Sequence, residues 1–230
     1  MSEGDAAVVL VHGGWADGSS WSKVVSGLQS KGINAVTAPL PLTSLADDVA
    51  ALDRMLERVE GPVVLAGHAY AGAVIASTRD PKVKALVYVA ALAPAEGETV
   101  ADVFYRNEPH AKAPKLAPDN HGLIWLPQDA FAAAFAQNAS PEEQAVLAAV
   151  QRPISPACIS VPVGRPLWND VPSWYLLAEQ DRMIVADTQR FMAERMKARV
   201  SAHPVDHTPS VTAPDFVVDL IRTAARELRG

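Results

Sequence analysis

Pro62-Val63-Val64-Leu65-Ala66-Gly67-His68-Ala69-Tyr70-Ala71-Gly72-Ala73-Val74-Ile75 is the stretch on which the fold turns. Pro62 to Ala66 has the unbroken apolar character of a strand buried on both faces. Gly67 ends the run, a turn of a few residues follows, and beyond Gly72 the chain becomes helical. This is the strand–turn–helix pattern G-x-S-x-G, here Gly67-His68-Ala69-Tyr70-Ala71 with Gly72 close behind. Small residues are needed because the turn is strained and the helix packs tightly on the strand it has just left. The geometry lifts side chain 69 onto a helix N-terminus, where backbone N–H groups and the dipole favour a developing anion. An ordinary strand–turn–helix joint is the alternative, and the rest of the chain decides between them.

Outward from this stretch, short apolar runs alternate with helical ones. Ala7 to Val11, Asn34 to Ala38, Pro62 to Ala66, Ala85 to Val89, Trp174 to Ala178 and Arg199 to Ala202 each read as buried strands. Leu45, Val49, Leu52, Leu56 and Val59 form one helical stripe, with Asp47, Asp48, Asp53 and Glu57 expected on the outward face. Ser44, three residues before Asp47, looks like a variant capping box. The last helix opens with Pro214 and carries Val217, Leu220, Ile221, Ala224 and Leu228 on one side. Such a β-α succession predicts an α/β fold with an open, mostly parallel, doubly wound sheet and right-handed crossovers. Between Leu92 and Pro172 the rhythm breaks. Ser140-Pro141-Glu142-Glu143 opens a helix there and Arg152-Pro153 closes it. A single domain over 1–230 is expected, with a helical cap inserted at about 94–170.

Composition narrows the function classes. The chain has 230 residues, 49% of them hydrophobic and 20% charged, an ordinary globular balance. Its formal net charge of −6 offers no positive field for phosphate, so neither a nucleic-acid nor an anionic-membrane partner is expected. The densest basic stretch, Arg190 to Arg199, reads as one face of a surface helix. The single cysteine, Cys158, cannot form an intrachain disulfide, and a cytoplasmic protein is the expectation. The first apolar run is too short to span a bilayer and lacks the features of a signal peptide. No metal-ligand spacing, Walker loop or G-x-G-x-x-G follows from the sequence, and no cofactor is expected. Homodimerisation is left open.

Three further segments give the central turn a chemical meaning. Val11-His12-Gly13-Gly14-Trp15 directly follows the first strand, and a loop there can set the amide of Gly14 opposite the amide of Tyr70 as a two-donor oxyanion hole. Chain order then calls for an acid after a later strand and a histidine before the last helix. Asp181 in Leu176-Leu177-Ala178-Glu179-Gln180-Asp181-Arg182 fills the first place, with Glu179 its competitor. His207 in Val205-Asp206-His207-Thr208-Pro209 fills the second, with His203 its competitor. Position in the chain favours Asp181 and His207. His12 reads as ordering its loop, His68 as packing behind the turn, and His110 and His121 as surface residues.

As an ordered set these residues resemble the α/β-hydrolase group that contains plant methyl esterases, hydroxynitrile lyases and short bacterial esterases. The resemblance runs from His12-Gly13-Gly14-Trp15 through Gly67-His68-Ala69-Tyr70 and Ser140-Pro141-Glu142-Glu143 to Asp206-His207-Thr208 and Ala213-Pro214. It implies that Asp181 orients His207, that His207 acts as base, and that the Gly14 and Tyr70 amides hold an oxyanion. Trp125 is similar to a cap tryptophan that lines the substrate entrance in such proteins, and Trp15 is a second candidate for the pocket wall; both could equally be core aromatics. Cyanohydrin lyases of the group carry a threonine in the first loop and a lysine after the histidine. Gly13 and Thr208 stand in those places, which favours the esterase branch.

The largest departure is Ala69 itself. A methyl group can neither attack a carbonyl nor pass a proton to His207, so no acyl-enzyme forms at this position. The expectation is a serine-type carboxylic-ester hydrolase for small to medium apolar esters, present as an engineered Ser→Ala form that traps substrate or product. Phe104, Tyr105, Trp125, Phe131, Phe135 and Trp168 in the cap suggest an apolar ligand, aromatic ones included. Two other readings stay open: a natural binder that lost its nucleophile, and a lyase that needs only His207 and the oxyanion hole.

Overall fold

The computed structural model describes residues 6–228. Six strands, β1 (Ala7–Val11), β2 (Ala35–Ala38), β3 (Val63–His68), β4 (Val83–Val89), β5 (Ser173–Ala178) and β6 (Arg199–His203), form one sheet in the order β2-β1-β3-β4-β5-β6. Every pairing is parallel. The apolar runs have no polar alternation because both faces are covered, and the alternate residues of β1 and β3 feed two separate cores. Val9, Val11 and Leu65 face one core and Val8, Leu10, Val64 and Ala66 the other. Helices α1 (Ser22–Gln29) and α9 (Pro214–Glu227) bury Val24, Leu28, Val217 and Ile221 on the second face. Helices α2 (Leu45–Leu56), α3 (Ala71–Ser77) and α7 (Ala186–Arg195) cover the first.

Between β4 and β5 lie α4 (Val100–Phe104), the single turn α5 (Gln128–Ala130), a π-helical turn Phe131–Phe135, and α6 (Pro141–Val150). A further short helix, α8 (Pro209–Thr212), precedes α9. The start of α6 is built as its sequence suggests. The Ser140 hydroxyl accepts the Glu143 N–H, and the Glu143 carboxylate accepts the Ser140 N–H in return.

Three expectations are corrected. β6 is an edge strand with exposed positions rather than a buried one, because no seventh strand lies beyond it among the described residues. Asp48 is not on the outward face of α2: it is fully buried. Arg190 to Arg199 is not one basic face, since α7 ends at Arg195 and Arg199 already belongs to β6. Of that stretch Arg190 lies out beside Asp187, whereas Arg195 turns inward to Glu98 at 2.7 Å. Ser44 caps α2 by accepting the Asp47 N–H at 3.1 Å, and its hydroxyl donates to the same carboxylate.

Candidate active site

Four loops meet beyond the carboxyl ends of β1, β3, β5 and β6, where open parallel sheets place their ligand sites. The turn after β3 is strained. Ala69 has φ +50°, in the left-handed region, at a cost of about 1–2 kcal/mol for a residue with a Cβ. Its carbonyl accepts the N–H of Leu92 at 2.9 Å and of Gly72 at 3.1 Å, which ties the turn to the chain following β4. Gly72 is required by this crossing, because a Cβ there would lie 2.3 Å from the Leu92 carbonyl oxygen.

The first loop closes on that turn. A Cβ at Gly13 would stand 2.9 Å from the His68 carbonyl oxygen and 3.0 Å from the Ala69 Cβ. His12 beside it is buried, and its Nε2 accepts the Leu40 N–H at 3.0 Å. The ring proton therefore sits on Nδ1, which donates to the Gly13 carbonyl at 2.9 Å. Burial, the largest effect, holds His12 below its usual range and so neutral. In a trans peptide the C=O and the following N–H point opposite ways, so anchoring the Gly13 carbonyl aims the Gly14 N–H elsewhere. Among the described residues neither the Gly14 nor the Tyr70 N–H has a protein acceptor, and both residues line one cleft. His12 thus orders the loop, as its sequence context suggested.

His207 lines the same cleft beside Ala69. Its Nδ1 donates to Asp181 Oδ2 at 2.8 Å, leaving Nε2 as the nitrogen free for chemistry. The Asp181 carboxylate is itself held from three other sides. Oδ1 accepts the Met183 and Ile184 N–H groups at 2.7 and 2.9 Å, and Oδ2 accepts Gln189 Nε2 at 2.9 Å. The competitors are elsewhere: Glu179 is exposed, and His203 stacks on Phe216 with its ring centroid 3.9 Å away.

His68 fixes the loop from behind. Its Nε2 donates to the His207 carbonyl at 2.7 Å, while its Nδ1 is buried with no partner. A second proton there would be an unpaired buried cation beside His207, and burial first, then His207, push its pKa down to about 3. His68 is neutral at any ordinary pH.

Three polar residues of the site escaped sequence reasoning. Gln189, fully buried on α7, grips Asp181 and also accepts the Ala178 N–H at 3.0 Å. Asp206 accepts the Asn138 N–H at 3.0 Å and the Thr212 hydroxyl at 2.6 Å, stapling the segment before α6 to the loop that carries His207. Asp48 accepts the Tyr70 hydroxyl at 2.7 Å and the Leu42 N–H at 2.7 Å, behind the turn whose amide faces the cleft. Burial raises the pKa of both Asp48 and Asp206. No local motif marks Gln189 or Asp48: the partners of Gln189 lie 5 to 11 residues back, across the Asp181 loop, and Tyr70 lies 22 residues from Asp48.

The cleft has an open volume of about 670 Å³ including its mouth, and its walls are apolar apart from the groups just described. Trp15 forms part of the wall, with its Nε1 donating to the Ile124 carbonyl at 2.9 Å. Trp125 does not: it is 46% exposed, and its Nε1 donates to Asp119 at 3.1 Å. The cap aromatics divide likewise. Phe104 and Tyr105 line the cleft, whereas Phe131 and Phe135 are buried core residues. Among the described residues no group of three His, Cys, Asp or Glu could hold a metal, and no helix is long and apolar enough to cross a membrane.

Comparison with known proteins gives a consistent answer. The Alpha/beta hydrolase family matches residues 8–220. The chain is 25% identical to Alpha/beta hydrolase nvfD of Aspergillus novofumigatus, over 96% of this chain and 97% of that protein. Among solved structures it is similar to polyneuridine aldehyde esterase, with a TM-score of 0.82 and 19% identity over 95% of this chain and 99% of the other. It is also similar to a variant of tomato methylketone synthase I complexed with beta-ketoheptanoate, with a TM-score of 0.82 and 17% identity over 97% and 99%. At these identities the last two are likenesses of fold.

Proposed function

The chain belongs to the alpha/beta hydrolase family, and on that premise we propose that its cleft is the active site of a carboxylic-ester hydrolase of the serine type, standing here with alanine at the nucleophile position. The observation that carries this reading is the convergence of His207, Ala69 and the two unpaired amides of Gly14 and Tyr70 on one apolar cleft. The substrate is a small to medium apolar ester, its carbonyl oxygen against the two amides.

With serine at 69 the steps follow from the geometry. His207 Nε2 takes the hydroxyl proton while Asp181 stabilises the imidazolium that forms. The serine oxygen bonds to the carbonyl carbon, and the carbonyl oxygen becomes an oxyanion against the Gly14 and Tyr70 N–H groups. The carbon–alkoxide bond breaks, the alcohol leaves with the proton from His207, and water releases the acid by the same path in reverse. With Ala69 the first bond cannot form, and the loss of such a serine costs about 10⁶ in turnover while ligand binding persists.

The test is the Ala69→Ser chain, assayed with short p-nitrophenyl esters and labelled with a fluorophosphonate. Hydrolysis together with labelling at residue 69 is expected. If neither occurs in the folded variant, the ester reading fails.

A second reading is favoured by Ala69 itself and by the fold neighbour complexed with beta-ketoheptanoate. Decarboxylation of a β-keto acid needs no nucleophile. The carboxylate leaves as CO₂, its bonding electrons pass into the ketone, the enolate oxygen rests on the two amides, and the α-carbon takes a proton. This reading requires CO₂ release from β-keto acids by the Ala69 chain, abolished by His207→Ala.

A further inference from the structure

A second, smaller pocket, with an open volume of about 390 Å³ including its mouth, adjoins the cleft. It shares Phe104, Tyr105, Leu116 and Met183 with it, so those four side chains stand at the neck between the two. Past the neck the walls are chiefly Pro109, Ala113, Pro114 and Val185. The one amide there, Asn107, spends its Nδ2 on the Thr188 hydroxyl at 2.8 Å, and no charged side chain lines the annex. An apolar space of this kind gains from apolar chains and from little else.

Its place relative to the reacting groups decides which part of a ligand it takes. Gly14, Trp15, Ile124 and Ile154 wall the cleft on the oxyanion-loop flank, and none of them reaches the annex. Met183 and Val185, which do, belong to the loop that follows Asp181, on the flank of His207. In ester cleavage the departing alkoxide takes its proton from the imidazole, so the alcohol half must lie on that flank. Resting on the ester reading above, we propose that the annex is an alcohol subsite, and that the ligands of this protein are esters of elongated apolar alcohols, alkyl or aryl-alkyl, with a compact acyl group.

The Ala69 chain permits a binding test without turnover. Two series of equal carbon number, acetates of straight-chain alcohols and methyl esters of straight-chain acids, are titrated calorimetrically. Each methylene that enters an apolar site is worth about fourfold in affinity, so the four methylenes from butyl to octyl acetate should together give a gain of roughly 200-fold. The methyl esters should gain far less. Ala113→Phe fills the annex and should abolish the butyl-to-octyl gain; Val185→Phe, filling it from the opposite wall, should do the same if the first variant does not fold. Equal gains in both series, a larger gain in the acid series, or a gain that survives a filled annex in a folded variant overturns the assignment while leaving the ester reading intact. No binding in either series, with no fluorophosphonate labelling of Ala69→Ser, overturns both.

Discussion

Acid should unfold this protein through His68. The imidazole is completely buried, donates one proton to the His207 carbonyl and has no acceptor for a second. Its pKa falls from the usual 6.5 to about 3 in the folded chain. The unfolded chain therefore binds a proton that the native chain refuses, and the stability contributed by His68 is complete above pH 6.5 and lost as pH falls toward 3. Between pH 7.5 and 4.5 the loss is roughly 2–3 kcal/mol, at about 1.4 kcal/mol per pH unit once the unfolded histidine is protonated. Buried His12 adds to the same trend, while Asp48 and Asp206, whose pKa values are raised, oppose it. The decisive quantity is therefore the difference between the parent chain and His68→Gln, whose amide can still donate to the His207 carbonyl. Urea unfolding at half-unit pH steps should show the parent losing ground to the variant by that amount below pH 6.5. A difference that stays flat across the range, or a folded-state His68 that titrates near 6.5 by NMR, refutes the reasoning.

Asp48→Ala should leave the Tyr70 hydroxyl and the Leu42 N–H buried without an acceptor, costing about 2–6 kcal/mol in urea unfolding, and Asp48→Asn, which can pair with both, should cost much less. Relative to Asp48→Asn, the parent should lose stability as pH rises above the normal aspartate range, because its raised carboxyl must ionise in a buried site. Gly72→Ala forces a methyl against the Leu92 carbonyl and should destabilise by about 3 kcal/mol or fail to fold, read as a fall in Tm or in soluble yield. Gln189→Met removes the side-chain hydrogen bonds to Asp181, the Ile184 carbonyl and Ala178 and should cost about 2–4 kcal/mol. In the Ala69→Ser chain it should also lower kcat more than it raises KM, since the His207–Asp181 geometry matters most in the transition state.

Most of the strand pattern was legible because a strand covered on both faces can be written only in apolar residues. β1, β3, β4 and β5 differ from their predicted bounds by one or two residues at most. β6 was assigned the right place and the wrong environment, since its length and composition do not reveal that it closes the sheet. Asp48 was misplaced for a related reason. A charged residue on an amphipathic helix reads as solvent-facing unless the tyrosine and the loop amide that satisfy it are known, and Tyr70 lies 22 residues away. Trp125 and Trp15 are indistinguishable by residue type, and only their placements, one exposed at the surface and one in the cleft wall, separate them.

The order of His12-Gly13-Gly14, Gly67 to Gly72, Asp181 and His207 along the chain determined the architecture and the identity of the groups that could meet, because tight turns after strands tolerate few residue types. Those constraints are local, and a sequence displays them directly. The tautomers of His12, His68 and His207, the buried supports Gln189, Asp206 and Asp48, and the annex behind the neck were decided by folding alone. Each depends on groups that chain order does not set side by side, and the direction of a hydrogen bond or the emptiness of a space exists only once those groups have been brought to within a few ångströms.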